Sequence, residues 1–293
     1  MDGQRCLFMV SNYFKSIRLI NIILIGILFW GLLTHHYFDN LIFKLDHFWL
    51  FLSIIFTLCS GYLINNYYDF ESDIINKKNI EGNSRKYYLK AYLIHFILSF
   101  ICLFISDLSG GWIQLVMICH VLVFIYSFKF QHIPIIGNLI VAFLCTIAIC
   151  IPEHLAGYEI SISNFNLKDS ISSTYIFFCF GLTLIREIIK DLEDYKGDSM
   201  TKSKTLPVLL GIKTSSVFVI LFAILILGLL IFGLISTPHD VIYLFFYFPL
   251  LGLHLYFIVP IIKKFKQPPF PFLGRLIKIK FFVASAWLYI SMI

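Results

Sequence analysis

The sequence predicts an all-α protein, a multi-pass transmembrane bundle of about nine helices. Three observations point there. Of 293 residues, 59% are hydrophobic and only 14% charged, against roughly 25% charged in soluble globular domains. Apolar runs near the length that crosses a bilayer, about 17–25 residues, recur along the whole chain. Lysine and arginine then collect in alternate gaps between these runs, the pattern of an oriented membrane protein. A soluble domain is excluded on composition, and no nucleic-acid partner is expected. One domain spanning residues 1–293 is the simplest organisation.

The runs fall at 16–34, 46–66, 89–106, 111–128, 135–151, 171–190, 213–236, 240–262 and 276–293. Hydrocarbon offers no solvent to a free backbone group, so each run is read as a helix. The fifth is the shortest and is framed by Pro134 and Pro152. The segment before the first run lacks the basic head, apolar core and cleavage site of a signal peptide, and reads as ordered or interfacial. With the N-terminus inside, the inner segments are 1–18, 67–90, 129–134, 186–213 and 263–280. They hold every one of the 23 basic residues except Lys44 and Lys168. Such asymmetry predicts a cytoplasmic N-terminus and an external C-terminus, in the inner (plasma) membrane of a bacterium. Segment 263–275, KKFKQPPFPFLGR, is expected to be an extended basic loop held on anionic lipid. Seven cysteines, six of them inside apolar runs, form no ligand or disulfide pattern and read as small buried residues. His95, His120 and His254 also fall inside runs. They are expected to be neutral, hydrogen-bonded core histidines rather than functional groups.

Two acidic stretches break this apolar background, after the second and sixth runs. In the first, Asn65, Asp69 and Asp73 are spaced i, i+4, i+8 and share a helix face, with Asn66 beside them. In the second, Asp191, Asp194 and Asp198 are spaced i, i+3, i+7, with Arg186, Glu187 and Lys190 interleaved. Both lie on the inner side. Clustered carboxylates gain nothing from a negative leaflet. Intrahelical ion pairs explain one or two of these charges but not three aspartates on one face. Mg²⁺ is a hard cation commonly held by one or two carboxylates plus substrate phosphates, so a Mg²⁺–diphosphate complex fits this pattern. Lys190 and Arg186 would balance charge or meet phosphate. An ion-coupled transporter is disfavoured, because its coupling groups sit near the bilayer midplane.

Asn65…Asp69…Asp73 and Asp191…Asp194…Asp198, in nine spans, resemble the UbiA superfamily of intramembrane prenyltransferases. So do Tyr126-Ser127-Phe128-Lys129 after the fourth run, the following Gly137-Asn138, and Arg18 with Asn21 in the first run. The likeness covers about residues 14–293. The stretch from Arg186 to Asp194, with Gly197-Asp198 and Thr205-Leu206-Pro207, is similar to the branch acting on geranylgeranylglycerol phosphate. The resemblance implies a polyprenyl diphosphate donor, Mg²⁺ as cofactor and a hydrophobic or amphipathic acceptor at the cytoplasmic face. Aromatic or quinone-precursor acceptors are the alternative within the family. It implies Asp69, Asp73, Asp191 and Asp194 as metal ligands, with Asn66 and Asp198. It implies Arg18, Asn21, Asn65, Lys77, Lys129 and Lys190 at the diphosphate, and Tyr126 beside the reacting allyl group. Two departures stand out. Asn66 replaces the usual aspartate, and the Arg-Pro segment expected after Asp73 reads Asn76-Lys77-Lys78-Asn79. They point to an altered binding mode for the donor and are not evidence of inactivity; an inactive structural paralogue stays only as an alternative.

Overall fold

The structure is a computed structural model that describes residues 10–36, 45–75, 84–108, 110–155, 171–201, 203–236, 241–264 and 268–291. Every described regular element is a helix: α1 (Val10–Ser16), α2 (Leu19–His36), α3 (Leu45–Tyr68), α4 (Phe70–Ile75), α5 (Arg85–Ile105), α6 (Gly110–Phe128), α7 (Ile136–Leu155), α8 (Ile171–Met200), α9 (Leu206–Ser236), α10 (Val241–Lys263) and α11 (Phe270–Ser291), with one 3₁₀ turn at Phe130–His132. Among the described residues each of the nine apolar runs overlaps a long helix of its own, α2, α3 and α5 to α11, and the first also takes in the end of α1 and the turn after it. By length and apolarity α3, α5, α6 and α9 each suffice to cross a membrane, and α1 with α2 form a fifth candidate bent by 60°.

By internal contacts the chain divides into two compact units, Met1–Ile27 with Asp39–Gln131, and Leu28–Phe38 with His132–Ile293. In the first, α3 packs on α5 and α6. Ile17, Cys59, Leu63, Tyr88 and Ala91 form one apolar cluster. A Cβ on Gly61 would stand 3.1 Å from Val123 Cγ1, so the missing side chain sets how near α3 comes to α6. In the second unit α8 packs on α7, α9 and α11. Its Tyr175, Phe178, Leu182 and Ile185 are almost wholly buried. Gly181 allows the close approach of α9, with Ile226 only 3.0 Å from where a Cβ would be.

The three histidines singled out from the sequence, His95, His120 and His254, are buried and hydrogen-bonded, as expected. His95 Nδ1–H donates to the Ala91 carbonyl at 2.8 Å, and its Nε2 accepts from the Tyr13 hydroxyl at 2.8 Å. His120 lies among the hydroxyls of Thr57, Ser60 and Ser99, the shortest contact being 2.8 Å to Ser99. His254 Nε2–H donates to the Ala223 carbonyl at 2.8 Å, and its Nδ1 accepts from Lys280 Nζ at 3.2 Å.

Three boundaries and one lysine differ from the sequence expectation. Helix α8 does not end at 190 but continues through the second acidic stretch to Met200. Helix α9 begins at Leu206, not 213, with Pro207 in its first turn and a break at Gly211, whose φ is +81°. A missing N–H costs nothing in a first turn, and glycine tolerates that φ. Helix α11 begins at Phe270, so the second half of 263–275 is not extended loop. Lys280, counted among the inner-loop lysines, is instead fully buried in that helix, with its ammonium 3.8 Å from the centre of the Phe257 ring.

Candidate active site

The first acidic stretch forms where α3 ends. Asp69 interrupts the helix, yet its N–H bonds the Asn65 carbonyl at 2.8 Å, and the Asp73 N–H bonds the Asp69 carbonyl at 2.8 Å. The i→i−4 ladder therefore runs on into α4, and Asn65, Asp69 and Asp73 follow one another at successive turns. Asn65 is buried. Its Nδ2 donates to Asp69 Oδ2 at 2.5 Å and to Gln131 Oε1 at 3.0 Å. The second bond draws the end of the Tyr126–Lys129 segment to the first acidic stretch. Tyr68 adds to this by packing edge-on against Phe124 and Phe128 of α6. Tyr126 is partly buried, while Lys129 is exposed in the turn after α6. Asn66 points its amide elsewhere, with Nδ2 donating to the Ser16 carbonyl at 3.1 Å and tying α1 to α3. Arg18 stands at the α1–α2 corner with φ at +53°. Its guanidinium lies 4.7 Å above the Tyr62 ring, and Asn21 Nδ2 donates to the Tyr62 hydroxyl at 3.1 Å. Arg85 covers the Tyr67 ring at 4.6 Å and approaches Glu71 at 3.7 Å, a solvent-exposed pair. Lys77 lies outside the described residues.

The second stretch is helical throughout. Asn138 of α7 is buried and donates from Nδ2 to Asp191 Oδ2 at 3.1 Å. Burial raises the Asp191 carboxyl well above the ordinary carboxylate range. The Asn138 amide and then the Lys190 ammonium draw it back, while the charges of Glu187 and Asp198 push it further up. Asp191, Lys190 and Asp198 are therefore close enough to act on one another. Asp194 and Glu187 are buried, and Arg186 pairs with its neighbour Glu187. The short connector to α9 is pinned by Ser203, whose hydroxyl is 3.0 Å from His132 Nδ1. A Cβ on Gly274 would lie 3.1 Å from Glu193 Oε1, which brings the first turn of α11 beside α8.

One arrangement recurs in both units. An amide from a buried asparagine holds one oxygen of an aspartate, Asn65 on Asp69 and Asn138 on Asp191. Such a bond orients the carboxylate and favours its ionised form. The donor set is all hard oxygen. Among the described residues no three His, Cys, Asp or Glu side chains gather as a preformed metal cage. Hard oxygen donors of this kind suit Mg²⁺, whose coordination substrate phosphates commonly complete. Tyr62 and Gln131 in the first unit, and His132 and Ser203 in the second, add polar contacts that were not foreseen. The pair Gln131-His132, one residue beyond Lys129, was the available signal, polar residues where a plain loop would do.

Residues 23–273 match the UbiA prenyltransferase family. The chain belongs to that family. Among curated relatives, digeranylgeranylglyceryl phosphate synthase of Methanobrevibacter smithii is 33% identical over 180 residues, 58% of this chain and 60% of the relative. The protein of the same name from Saccharolobus solfataricus is 36% identical over 157 residues, 53% of each chain. The matched region thus spans little more than half the length of these relatives. Among solved structures, a UbiA homologue of Archaeoglobus fulgidus bound to DMAPP and Mg²⁺ superposes with a TM-score of 0.62 at 14% identity, covering 94% of this chain and 99% of the other. An apo UbiA homologue of Aeropyrum pernix K1 gives 0.67 at 14% identity, over 93% and 98%. These likenesses establish the fold, and with the apolar helices they make this an integral membrane protein.

Proposed function

We propose that this chain transfers a prenyl group from a polyprenyl diphosphate to an amphipathic, glycerol-phosphate-type lipid acceptor in a Mg²⁺-dependent reaction. The observation that carries this reading is the asparagine–aspartate pairing in both acidic stretches. It presents oriented carboxylates on two helices of a greasy protein. The family match and the named relatives support the donor and acceptor classes. Both units are proposed to serve one domain and one donor.

Asp69, Asp73, Asp191 and Asp194 would hold Mg²⁺, with Asp198 behind them. Asn66, occupied at Ser16, is the weakest member of the set. Bound Mg²⁺ supplies charge neutralisation for the leaving diphosphate. The chain's own residues do the rest. Arg18, Asn21, Lys129 and Lys190, with Lys77, bind and orient the diphosphate. Asn65 and Asn138 keep Asp69 and Asp191 aimed. Tyr126 offers a π-face to positive charge growing on the allylic carbon. As the allylic C–O bond breaks, its electron pair leaves with the diphosphate, and the acceptor hydroxyl oxygen bonds that carbon and gives up its proton to the departing diphosphate. The apolar surroundings exclude water, which would otherwise quench the allylic centre.

The basic residues support a cytoplasmic N-terminus and an external C-terminus in a prokaryotic plasma membrane. The named relatives are archaeal, so a bacterial source has no support beyond the sequence. The deciding experiment incubates purified protein with Mg²⁺, prenyl diphosphates of several lengths and a panel of acceptors. Diphosphate release and a prenylated lipid are expected, both lost in Asp69→Ala and Asp191→Ala. Unchanged turnover in those variants overturns the assignment.

A further inference from the structure

Arg18 occupies a backbone region that side-chain-bearing residues rarely enter, at φ +53°. The Asn21 N–H bonds the Arg18 carbonyl at 2.8 Å and closes the α1–α2 corner. Both polar side chains of this corner end on one residue of α3. The Arg18 guanidinium lies on the face of the Tyr62 ring, 4.7 Å from its centre, and the Tyr62 hydroxyl accepts from Asn21 at 3.1 Å. Tyr62 precedes Asn65 by three residues, so it projects from the same side of α3. Among the described residues Arg18 meets no carboxylate.

That choice of partner matters chemically. A carboxylate would fix the guanidinium but cancel its charge and occupy its fork of donors. An aromatic face fixes the plane and leaves the charge and the five N–H groups for another anion. A held but unneutralised guanidinium one turn from Asn65 suits a diphosphate.

We propose that Tyr62 is a positioning residue that presents Arg18 and Asn21 together to the diphosphate of the donor. The proposal rests on the reading above that Arg18 and Asn21 contact that group. It is tested on the full chain in detergent, with inorganic pyrophosphate and with geranyl diphosphate, each in the presence of Mg²⁺. Tyr62→Leu removes ring and hydroxyl and is expected to weaken both ligands about 10-fold, and Tyr62→Phe, which keeps the ring, about 3-fold. The loss appears in KM, with kcat at saturating donor nearly unchanged. In the Arg18→Ala, Asn21→Ala background, Tyr62→Leu has no further effect. If Arg18→Ala itself leaves both affinities unchanged, the reading of Arg18 fails and takes this proposal with it. If Arg18→Ala weakens binding but Tyr62→Leu does not, the role of Tyr62 alone is overturned. An equal fall in kcat and thermal stability, without change in KM, marks a merely structural residue and also overturns it. Should Tyr62→Leu not fold, Tyr62→Phe and Asn21→Ala decide: the double variant loses no more than either single one, whereas additive losses refute the proposal.

Discussion

Burial raises the Asp191 carboxyl, and the sign of the consequence can be worked out. A group whose folded pKa is raised contributes stability that is complete below its unfolded value, near pH 4, and lost as pH rises through the folded pKa. Without cation, thermal stability in detergent is therefore expected to fall as Asp191 ionises. Asp191→Asn removes that slope. Saturating Mg²⁺ with pyrophosphate favours the ionised form, so binding releases a proton and apparent affinity rises with pH over the same window. A Mg²⁺ affinity independent of pH would contradict this. Asn138→Ala takes away the bond that steadies Asp191, and a loss of about 10–100-fold in Mg²⁺-dependent binding is expected. At this scale the aspartates and Asn65 were legible because polar residues at helical spacing are conspicuous in an apolar chain, whereas Arg18 and Asn21 were singled out by the family resemblance alone. Gln131, Ser203 and Tyr62 were not legible. Their roles depend on which helix lies across from them, and spacing within one helix carries no such information. Lys280 misled for a related reason. A lysine close behind Lys278 and Arg275 looks like loop charge until the helix is seen to start at Phe270 and to turn it inward onto His254.

At the scale of elements, Gly181 sets the approach of α8 to α9. A methyl there would stand 3.0 Å from Ile226, closer than side chains tolerate without displacement. Glycine to alanine inside a helix gains up to about 1 kcal/mol in propensity, but overpacking costs about 1–3 kcal/mol. Gly181→Ala is expected to lower the melting temperature, and Ile226→Val in the same chain to restore part of it by removing the methyl group in the way. A Gly181→Ala protein as stable as the parent would show that α9 yields freely. The same helix explains what apolar runs reveal and what they hide. They located nine helices, because hydrocarbon leaves the backbone no other choice. They missed the last ten residues of α8, because a helix that has left the bilayer no longer needs apolar side chains. Glu and Lys are good helix formers, so the charged stretch simply continues the spiral. Likewise Pro207 and Pro271 sit in first turns, where proline fits.

For the whole molecule, each compact unit brings one amide-held aspartate, Asp69 in the first and Asp191 in the second. If both serve one donor, ligand and unfolding are linked across the chain. A ligand that binds only the folded state stabilises it by about 2.7 kcal/mol at a hundred times its dissociation constant. Geranyl diphosphate with Mg²⁺ is thus expected to raise the melting temperature of both units together, and chelation of Mg²⁺ to abolish the rise. Asp69→Ala and Asp191→Ala should each remove most of the gain. The double variant should lose little more than either alone, because the second substitution acts on a ligand already released. Independent, additive losses would mean two separate sites, one in each unit. A gain in one unit alone, followed by separate reporters in α3 and α8, would mean that the other acidic stretch serves something else.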